Sequence, residues 1–380
     1  MRVVGKNRPQ MPVEWIQLAN PAGDLAPLRE QLIAAVARVI DRGLYILGPE
    51  VAAFEQELQH RLGVAGTVGV GSGTDALVLA LLAVGVEPGD EVITVSHTAG
   101  PTVAAIQMIG AIPVLVDVEA DAYCLDPDTL DIAIGPRTKA IIAVHLYGHP
   151  AHLNRICEFG KSQGIPIIED CAQAQEATID GRMVGSVGEI GCFSFYPTKN
   201  LGAIGDGGLV AARRPEHVSR LRELRTYGWT KPQFAEIQNG RCSRLDELQA
   251  AILRVKLKHL SAEIDRRRAI AHGYNDAFLK LPIVLPTERS GCQHVYHLYV
   301  IRCDRRDALA HHLEKAGIMT GRHYPFPVHK QPAFAGRVRI PQQLVVTETL
   351  SHEILTLPLF PSMSTAQQTR VIDAVRSFFA

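Results

Sequence analysis

The sequence predicts an α/β fold in which a large three-layer domain, built on a mostly parallel mixed sheet, precedes a smaller C-terminal α+β domain. Between residues 67 and 211, short apolar runs alternate with amphipathic stretches, a pattern typical of a helix-covered parallel sheet. The run Ala140–Val144 is apolar at every position, which predicts a strand buried on both faces. A second strand and helix pattern follows a helical stretch near residue 250. We therefore divide the chain into domains 1–255 and 256–380.

The alternation of patterns gives the order of the elements. The predicted strands of the large domain are Thr67–Val70, Glu91–Val95, Ile112–Val118, Ala140–Leu146, Pro166–Glu169, Gly191–Phe195 and Gly208–Ala211. The predicted helices include Leu28–Arg42, Thr74–Val84, Pro101–Ile109 and Asn154–Gln163. An apolar stripe of helical period predicts one long helix from Asp246 to Arg268. The small domain is predicted to contain strand His297–Ile301, helix Arg306–Gly317 and the proline-rich loop Tyr324–Pro332.

The composition narrows the class of protein. The 380 residues are 47% hydrophobic, with 39 basic and 39 acidic side chains and no formal net charge. This balance argues against a general nucleic-acid-binding or membrane-surface protein. No apolar stretch approaches the ~20 residues that a membrane-spanning helix needs. Seven scattered cysteines without a C-x-x-C pair, and no signal peptide, predict reduced thiols and a cytoplasmic location. The histidines show no metal-ligand spacing, so we expect no metal.

A glycine-rich turn, Gly71–Ala76, follows the first strand and opens a helix. Such a turn offers free backbone N–H groups and the positive end of a helix to a phosphate. It also matches the dinucleotide pattern G-x-G-x-x-A, with Glu91 about 20 residues further on. In a dinucleotide-binding unit the acidic residue ends the second strand, whereas Glu91 begins it. A compact phosphate cradle containing Gly73, Thr74 and Asp75 is therefore the favoured interpretation.

Asp170 stands where the predicted strand Pro166–Glu169 ends. Ligands of open α/β sheets bind at these carboxyl ends. A buried carboxylate needs a cationic partner, and a protonated pyridine nitrogen is such a partner. The alternative is that Asp170 caps a helix. Gln173 could donate a hydrogen bond to a ring oxygen.

Lys199 closes the run Ile190–Thr198, which resembles a buried strand, and it faces the glycine-rich stretch Asn200–Gly208. Desolvation there would lower the pKa of the amine and make it a nucleophile that can hold an aldehyde as a Schiff base. The alternative is an ordinary strand-end lysine whose amine reaches solvent. Ser194 could reach a phosphate oxygen. A phosphate cradle, a strand-end acid and this lysine together are the three groups that grip pyridoxal 5′-phosphate.

The sequence resembles the DegT/StrS family of sugar aminotransferases, which are fold-type I pyridoxal-phosphate enzymes acting on nucleotide-linked keto-sugars. The motifs that carry the resemblance are Gly48–Val51, Gly71–Ala76, Asp90–Ile93, Val144–Gly148, Glu169–Ala174, Phe193–Gly208, Ser243–Ile252 and His323–His329. The resemblance implies that Lys199 binds the cofactor covalently, that Asp170 pairs with the ring nitrogen and that Gln173 lies near the ring hydroxyl. The residues that it assigns to the phosphate are Gly73, Thr74 and Ser194. It also implies an amino-acid donor, usually glutamate.

The resemblance further implies a homodimer whose sites lie at the subunit interface. The segment that would reach the neighbouring phosphate contains Arg241, Cys242 and Arg244. Cys242 stands where the family usually has asparagine, and a thiol is a poor hydrogen-bond partner, so that phosphate contact is either lost or taken over by Arg241. Ala99 stands where the family usually has an aromatic residue that stacks on the cofactor ring, so either His97 or another residue covers that face or the face is open. Further expected substrate contacts are Tyr324 and His329.

Two other functions agree with the same cofactor site. The first is a pyridoxal-phosphate-dependent sugar dehydratase. Some deoxygenating members of the family carry histidine in place of the lysine, so Lys199 favours amino transfer. The second is a non-catalytic regulator that binds the cofactor, against which the neutral charge and the intact pair of Lys199 and Asp170 argue.

Overall fold

The structure is a computed structural model that describes residues 15–380. The α-helices are α1 (Pro21–Leu25), α2 (Arg29–Arg42), α3 (Pro49–Leu62), α4 (Gly73–Ala83), α5 (Gly100–Met108), α6 (Leu130–Ala133), α7 (Leu153–Gln163), α8 (Pro215–Leu224), α9 (Glu247–Leu257), α10 (Leu260–Phe278), α11 (Arg306–Lys315), α12 (Val345–Glu353) and α13 (Thr365–Phe379). The strands are β1 (Gly66–Val70), β2 (Glu91–Val95), β3 (Ile112–Val116), β4 (Thr138–Val144), β5 (Ile167–Asp170), β6 (Thr178–Ile179), β7 (Arg182–Met183), β8 (Ile190–Ser194), β9 (Gly208–Ala212), β10 (Trp229–Lys231), β11 (Phe234–Ala235), β12 (Cys292–Gln293), β13 (Tyr299–Arg302) and β14 (Ile354–Leu357). Within these residues no helix combines the length and apolar character needed to cross a lipid bilayer.

A seven-stranded sheet in the order β1-β9-β8-β5-β4-β2-β3 forms the centre of the fold. Strand β9 runs antiparallel to both of its neighbours, and all other neighbouring pairs are parallel. The predicted mostly parallel mixed sheet is therefore confirmed. Ile141 and Ile142 on β4 are both fully buried although their side chains point to opposite faces, because the sheet is covered on both sides.

The parallel pairing of β5 with β8 brings two predicted site residues to one edge of the sheet. Asp170 at the end of β5 is in register with Cys192 on β8, and Ser194 ends β8 two residues later. Helix α4, which follows the glycine-rich turn, packs on β8 and β9. The helix start and both strand ends therefore meet at the same edge.

The predicted long helix Asp246–Arg268 is wrong, because the chain breaks between α9 and α10. Helix α9 packs against α2 and α3, so the N-terminal helix does fold back onto the body of the protein. Glu247, at the start of α9, accepts hydrogen bonds from the backbone N–H groups of Glu50 (2.9 Å) and Val51 (2.7 Å). This carboxylate at the positive end of α3 ties two distant helices together.

A second hydrophobic cluster surrounds the antiparallel pair β13 and β14 and includes residues of α10, α11 and α13. Between β13 and β14, the chain returns to the edge strand β3 of the large sheet. The backbone of Arg339 bonds to Pro113 and Leu115, each at 2.8 Å. This contact covers an edge strand that would otherwise expose unpaired backbone groups.

Candidate active site

The start of α4 forms a cradle for an anion. Ser72 precedes the helix, and its Oγ accepts a hydrogen bond from the N–H of Asp75 at 3.1 Å. The N–H groups of Gly73 and Thr74 come before this capped position and have no intrahelical partner. They lie at the positive end of the helix dipole, where a phosphate is stabilised.

Two glycines allow Ser194 to approach the start of α4. A Cβ atom at Gly73 would lie 2.6 Å from Cβ of Ser194, and one at Gly208 would lie 2.3 Å from the carbonyl oxygen of Ser72. The Ser194 hydroxyl accepts a hydrogen bond from the N–H of Tyr196 at 3.3 Å, so its own proton is available for an anion. A side chain at position 73 would fill the cradle.

Asp75 holds a different segment. Its Oδ2 accepts a hydrogen bond from Oγ of Ser243 at 2.8 Å, and its Oδ1 lies 3.6 Å from the guanidinium of Arg241. Cys242 between them is exposed, and its Sγ lies 3.0 Å from a guanidinium nitrogen of Arg244. In the single chain, Asp75 therefore fixes the segment 241–244 beside the cradle.

Asp170 is 5% exposed and is held at both carboxylate oxygens. Oδ2 accepts a hydrogen bond from the hydroxyl of Thr102 at 2.8 Å, and Oδ1 accepts one from the N–H of Ala172 at 3.1 Å. The residues that follow form turns, so the alternative that Asp170 caps a helix is wrong. Since each carboxylate oxygen can accept two hydrogen bonds, the group can still pair with a cationic N–H. Sequence analysis missed Thr102, a hydroxyl in the first turn of a mostly apolar helix.

Gln173 connects two tyrosines. Its Oε1 accepts a hydrogen bond from the N–H of Tyr147 at 2.7 Å, and its Nε2 donates to the hydroxyl oxygen of Tyr324 at 2.9 Å. Burial raises the pKa of Tyr324 to about 12, so the phenol keeps its proton. Because its oxygen already accepts from Gln173, the phenol proton is free to bond another acceptor.

Lys199 lies beyond the end of the sheet. Strand β8 ends at Ser194, so the predicted strand run Ile190–Thr198 is too long, and Lys199 closes a turn through its N–H bond to Tyr196 (2.8 Å). Burial lowers the pKa of its amine to about 8, an effect that the nearby Asp170 opposes. Within residues 15–380, Nζ forms neither a hydrogen bond nor an ion pair, which leaves it available as a nucleophile.

Two histidines that sequence analysis missed face this lysine. The side chain of Asn200 donates to the carbonyl oxygen of Val295, and its Oδ1 lies 3.3 Å from Nδ1 of His297. Burial and then the charge of Lys199 hold the pKa of His297 well below its usual range and lower that of His323 to about 4. Both imidazoles are therefore neutral near pH 7. Asn200, a buried amide directly after the lysine, is the signal that could have identified this contact.

His97 and His329, the two histidines that sequence analysis proposed as substrate contacts, instead hold loops together. His97 is buried, and its Nε2 lies 2.8 Å from the hydroxyl of Tyr147, which donates to the carbonyl oxygen of His323. Burial lowers the pKa of His97 to about 4. Nδ1 of His329 lies 2.7 Å from Oγ of Ser96. His97 thus supports the segment that precedes Tyr324, and His329 fixes the loop that follows it.

A buried group beside the site, His145, Glu169 and Cys171, has the composition of a metal site. The N–H of Ala151 donates to Nδ1 of His145 at 2.9 Å, so Nε2 carries the proton and donates to Glu169 at 3.1 Å. Glu169 also accepts three backbone N–H groups from residues 185–188. Both nitrogens of the imidazole are therefore occupied, and we interpret the cluster as structural support for this loop.

Residues 27–376 match the DegT/DnrJ/EryC1/StrS aminotransferase family. The dTDP-3-amino-3,4,6-trideoxy-alpha-D-glucose transaminase of Streptomyces venezuelae is 45% identical over 352 residues, which cover 92% of this chain and 93% of that protein. The UDP-N-acetyl-3-dehydro-alpha-D-glucosamine 3-aminotransferase of Acidithiobacillus ferrooxidans is 42% identical over 361 residues, covering 95% and 97% of the two chains.

The fold agrees with these sequence matches. The crystal structure of S. venezuelae DesV in complex with a ketimine intermediate superposes with a TM-score of 0.93 at 43% identity, over 96% of this chain and 99% of that one. The geometry of the site, the sequence matches and the fold lead to one assignment. This chain belongs to the DegT/DnrJ/EryC1/StrS aminotransferase family.

Proposed function

We propose that this protein is a pyridoxal-phosphate-dependent aminotransferase that transfers an amino group from an amino acid to a nucleotide-linked keto-sugar. One observation carries the proposal: an anion cradle, a buried carboxylate and an unpaired lysine of lowered pKa meet at one edge of the sheet. Pyridoxal 5′-phosphate is the cofactor of the family. Its phosphate, ring nitrogen and aldehyde match these three groups in chemistry.

The cradle and the buried acid would bind the two ends of the cofactor. The N–H groups of Gly73 and Thr74 and the hydroxyl of Ser194 would hold the phosphate. Asp170 would pair with the protonated ring nitrogen, and the second amide proton of Gln173 would reach the ring hydroxyl. When bound, the cofactor supplies an electron sink for the negative charge that develops at the Cα atom of the amino donor.

Lys199 would hold the cofactor and then move protons. At a pKa of about 8, part of the amine is neutral near pH 7, as a nucleophile and a general base require. Nζ takes the proton from Cα of the amino donor and returns one when the keto-sugar is aminated. Tyr324 would donate its free phenol proton to a bound ligand, while His97 and His329 keep the surrounding loops in place.

The names of the relatives support a sugar nucleotide as the acceptor. One is named for a dTDP-sugar and the other for a UDP-sugar, and both names specify the amino group at carbon 3. We propose glutamate as the amino donor. A dTDP- or UDP-linked 3-keto-sugar is therefore the first acceptor to test.

The proposed function predicts a balanced reaction. Incubated with pyridoxal 5′-phosphate, glutamate and a dTDP- or UDP-linked 3-keto-sugar, the protein is expected to form amino-sugar nucleotide and 2-oxoglutarate in equal amounts. Mass spectrometry and a coupled assay for 2-oxoglutarate measure the two products. A deoxygenated sugar without consumption of glutamate would instead identify a dehydratase. Cofactor binding without turnover, together with binding to DNA, would identify a regulator.

The same site supports a homodimer as a further proposal. A group of large apolar side chains that are 39–55% exposed lies on and after α2: Ile33, Ile40, Leu44, Tyr45, Ile46 and Leu47. The carbonyl oxygen of Tyr45 accepts a hydrogen bond from the N–H of Glu247 at 3.2 Å. Since Glu247 follows Arg244 by three residues in the sequence, this surface lies near the segment that contains Arg244. Exposed apolar patches of this kind mark subunit interfaces. We propose that Arg241 and Arg244 of one chain, with Cys242 between them, lie near the phosphate of the other.

Mixing two inactive variants tests this arrangement. Lys199→Ala and Arg244→Ala are each expected to be inactive as homodimers. In a mixed dimer, the chain that keeps Lys199 receives Arg244 from its neighbour, so one of the two sites is complete. Since about half of the dimers formed on co-expression are mixed, about a quarter of wild-type turnover should be restored. Light scattering checks that the protein is dimeric. A monomer, or mixtures that stay inactive while mixed dimers are present, would contradict the shared site.

Two further expectations from the sequence, the domain division and the cellular location, remain proposals. The first is the division into domains 1–255 and 256–380, of which residues 1–14 lie outside the described part. It is supported by the second hydrophobic cluster, whose buried members other than Ile16 all lie within 256–380, although Val300 and Ile354 pack into the cluster of the large sheet. A cytoplasmic location is supported by seven free cysteines, since thiols persist in reducing compartments.

A further inference from the structure

Two buried threonines form a hydrogen-bonded chain that ends on Asp170. Thr102 lies in the first turn of α5 and is 1% exposed, and its hydroxyl donates to Oδ2 of Asp170 at 2.8 Å. Oγ1 of Thr98, itself buried, lies 3.1 Å from Oγ1 of Thr102. A hydroxyl has one proton. Because Thr102 donates that proton to the carboxylate, its oxygen must accept a hydrogen bond from the hydroxyl of Thr98. The chain therefore runs in one direction, from Thr98 to Thr102 to Asp170.

The chain fixes the orientation of the carboxylate. A hydrogen bond to an ionised acceptor is about twice as strong as a neutral one, and a second hydroxyl behind it polarises and strengthens it. The other oxygen of Asp170 is held by the N–H of Ala172. With both oxygens bound, the carboxylate cannot rotate freely, and its remaining lone pairs face a defined direction.

We propose that Thr98 and Thr102 are positioning residues that hold Asp170 as an oriented anion against the protonated ring nitrogen of the cofactor. The proposal rests on the proposed function, because it needs that cofactor. Thr98 precedes α5 and Thr102 lies in its first turn, and the 3.1 Å between their hydroxyl oxygens shows that the two side chains meet. Helix α5 thereby takes part in the site through a hydroxyl, although it supplies no charged group to Asp170.

The decisive variants are Thr102→Val, which keeps the shape and removes the hydroxyl, and Thr102→Ser, which restores it. Thr94→Val is the matched control, because Thr94 is fully buried on β2 and its hydroxyl donates to the carbonyl oxygen of Ile142 at 3.2 Å. The readouts are the Kd of the cofactor-free protein for pyridoxal 5′-phosphate, the 15N resonance of the ring-labelled bound cofactor, kcat, KM and Tm.

Thr102→Val is expected to weaken cofactor binding about tenfold, since a lost hydrogen bond to a charged group has this size. It should move the 15N resonance towards the unprotonated form and lower kcat, with KM for the keto-sugar unchanged. Thr102→Ser should recover all three values. Thr94→Val should lower Tm alone. Thr98→Val, which removes only the outer hydroxyl, should shift the same readouts in the same direction by less, and it remains available if Thr102→Val does not fold.

A double-variant comparison separates positioning from packing. In an Asp170→Asn background, Thr102→Val should leave the 15N resonance unchanged, because the charge that it orients is already absent. If Thr102→Val matches Thr94→Val in 15N resonance and kcat while the wild type is active, the positioning proposal is wrong and the proposed function stands. A folded wild-type protein that does not bind pyridoxal 5′-phosphate would overturn both.

Discussion

Replacing Lys199 with alanine is expected to abolish the covalent cofactor adduct and to lower amino transfer by roughly 10⁴-fold, because the variant loses both the nucleophile and the proton carrier. The fold should survive, since Nζ has no hydrogen-bond or ion-pair partner in residues 15–380 whose loss would leave a buried group unpaired. The visible absorbance of the protein and mass spectrometry after borohydride reduction measure the adduct.

Lys256 provides a matched control for this prediction. It is also a buried lysine, and burial lowers its pKa, but its amine donates to the carbonyl oxygen of Gly202 at 2.5 Å. Lys256→Arg should therefore keep the adduct and the turnover. Reduction that labels Lys256 or any lysine other than Lys199 in the wild-type protein would contradict the assignment of the nucleophile.

Replacing Asp170 with asparagine is expected to lower kcat by about 10²- to 10³-fold, the size of losing one electrostatic group that acts on developing charge. Cofactor affinity should fall much less, because the phosphate cradle and Lys199 remain. The amide oxygen can still accept the Thr102 hydrogen bond, so the fold should be kept. Steady-state kinetics, cofactor titration and thermal unfolding measure the three quantities.

Asp117 offers the corresponding control. It is a buried carboxylate that follows β3, and it accepts the N–H groups of Val346 and Thr347 at the start of α12, each at 2.8 Å. Asp117→Asn should lower Tm but leave turnover per folded molecule near wild type. An Asp170→Asn variant with near-normal kcat would mean that Asp170 has only a structural role.

The elements that sequence analysis predicted well are those with a local cause. Strand β2 was predicted with its exact bounds, Glu91–Val95, and α4 to within one residue, because apolar periodicity and a glycine-rich turn are both contained in a short window. The motifs around Asp170 and Lys199 could be found in the same way. Asp170 ends a buried strand, and Lys199 follows five residues after the end of another.

The errors have a common physical origin. The long helix was predicted to continue past Lys258 to Arg268 because the apolar stripe continues. In the structure, α9 and α10 pack against different partners and the chain turns between them. The run Ile190–Thr198, interpreted as a strand, was too long because Phe195 is buried like its neighbours although β8 ends at Ser194. Burial alone does not distinguish a strand residue from a turn residue whose side chain packs into the core.

The sequence by itself determined the fold class and the order along the chain of the phosphate turn, the acid and the lysine, since these depend on spacing within one segment. Only the tertiary structure decided which groups complete the site. Thr102 lies 68 residues from Asp170, and Gln173 lies 151 residues from Tyr324. Such partners are set by which strands become neighbours in the sheet and by how loops cross its edge, and a local pattern of residues carries no information on either.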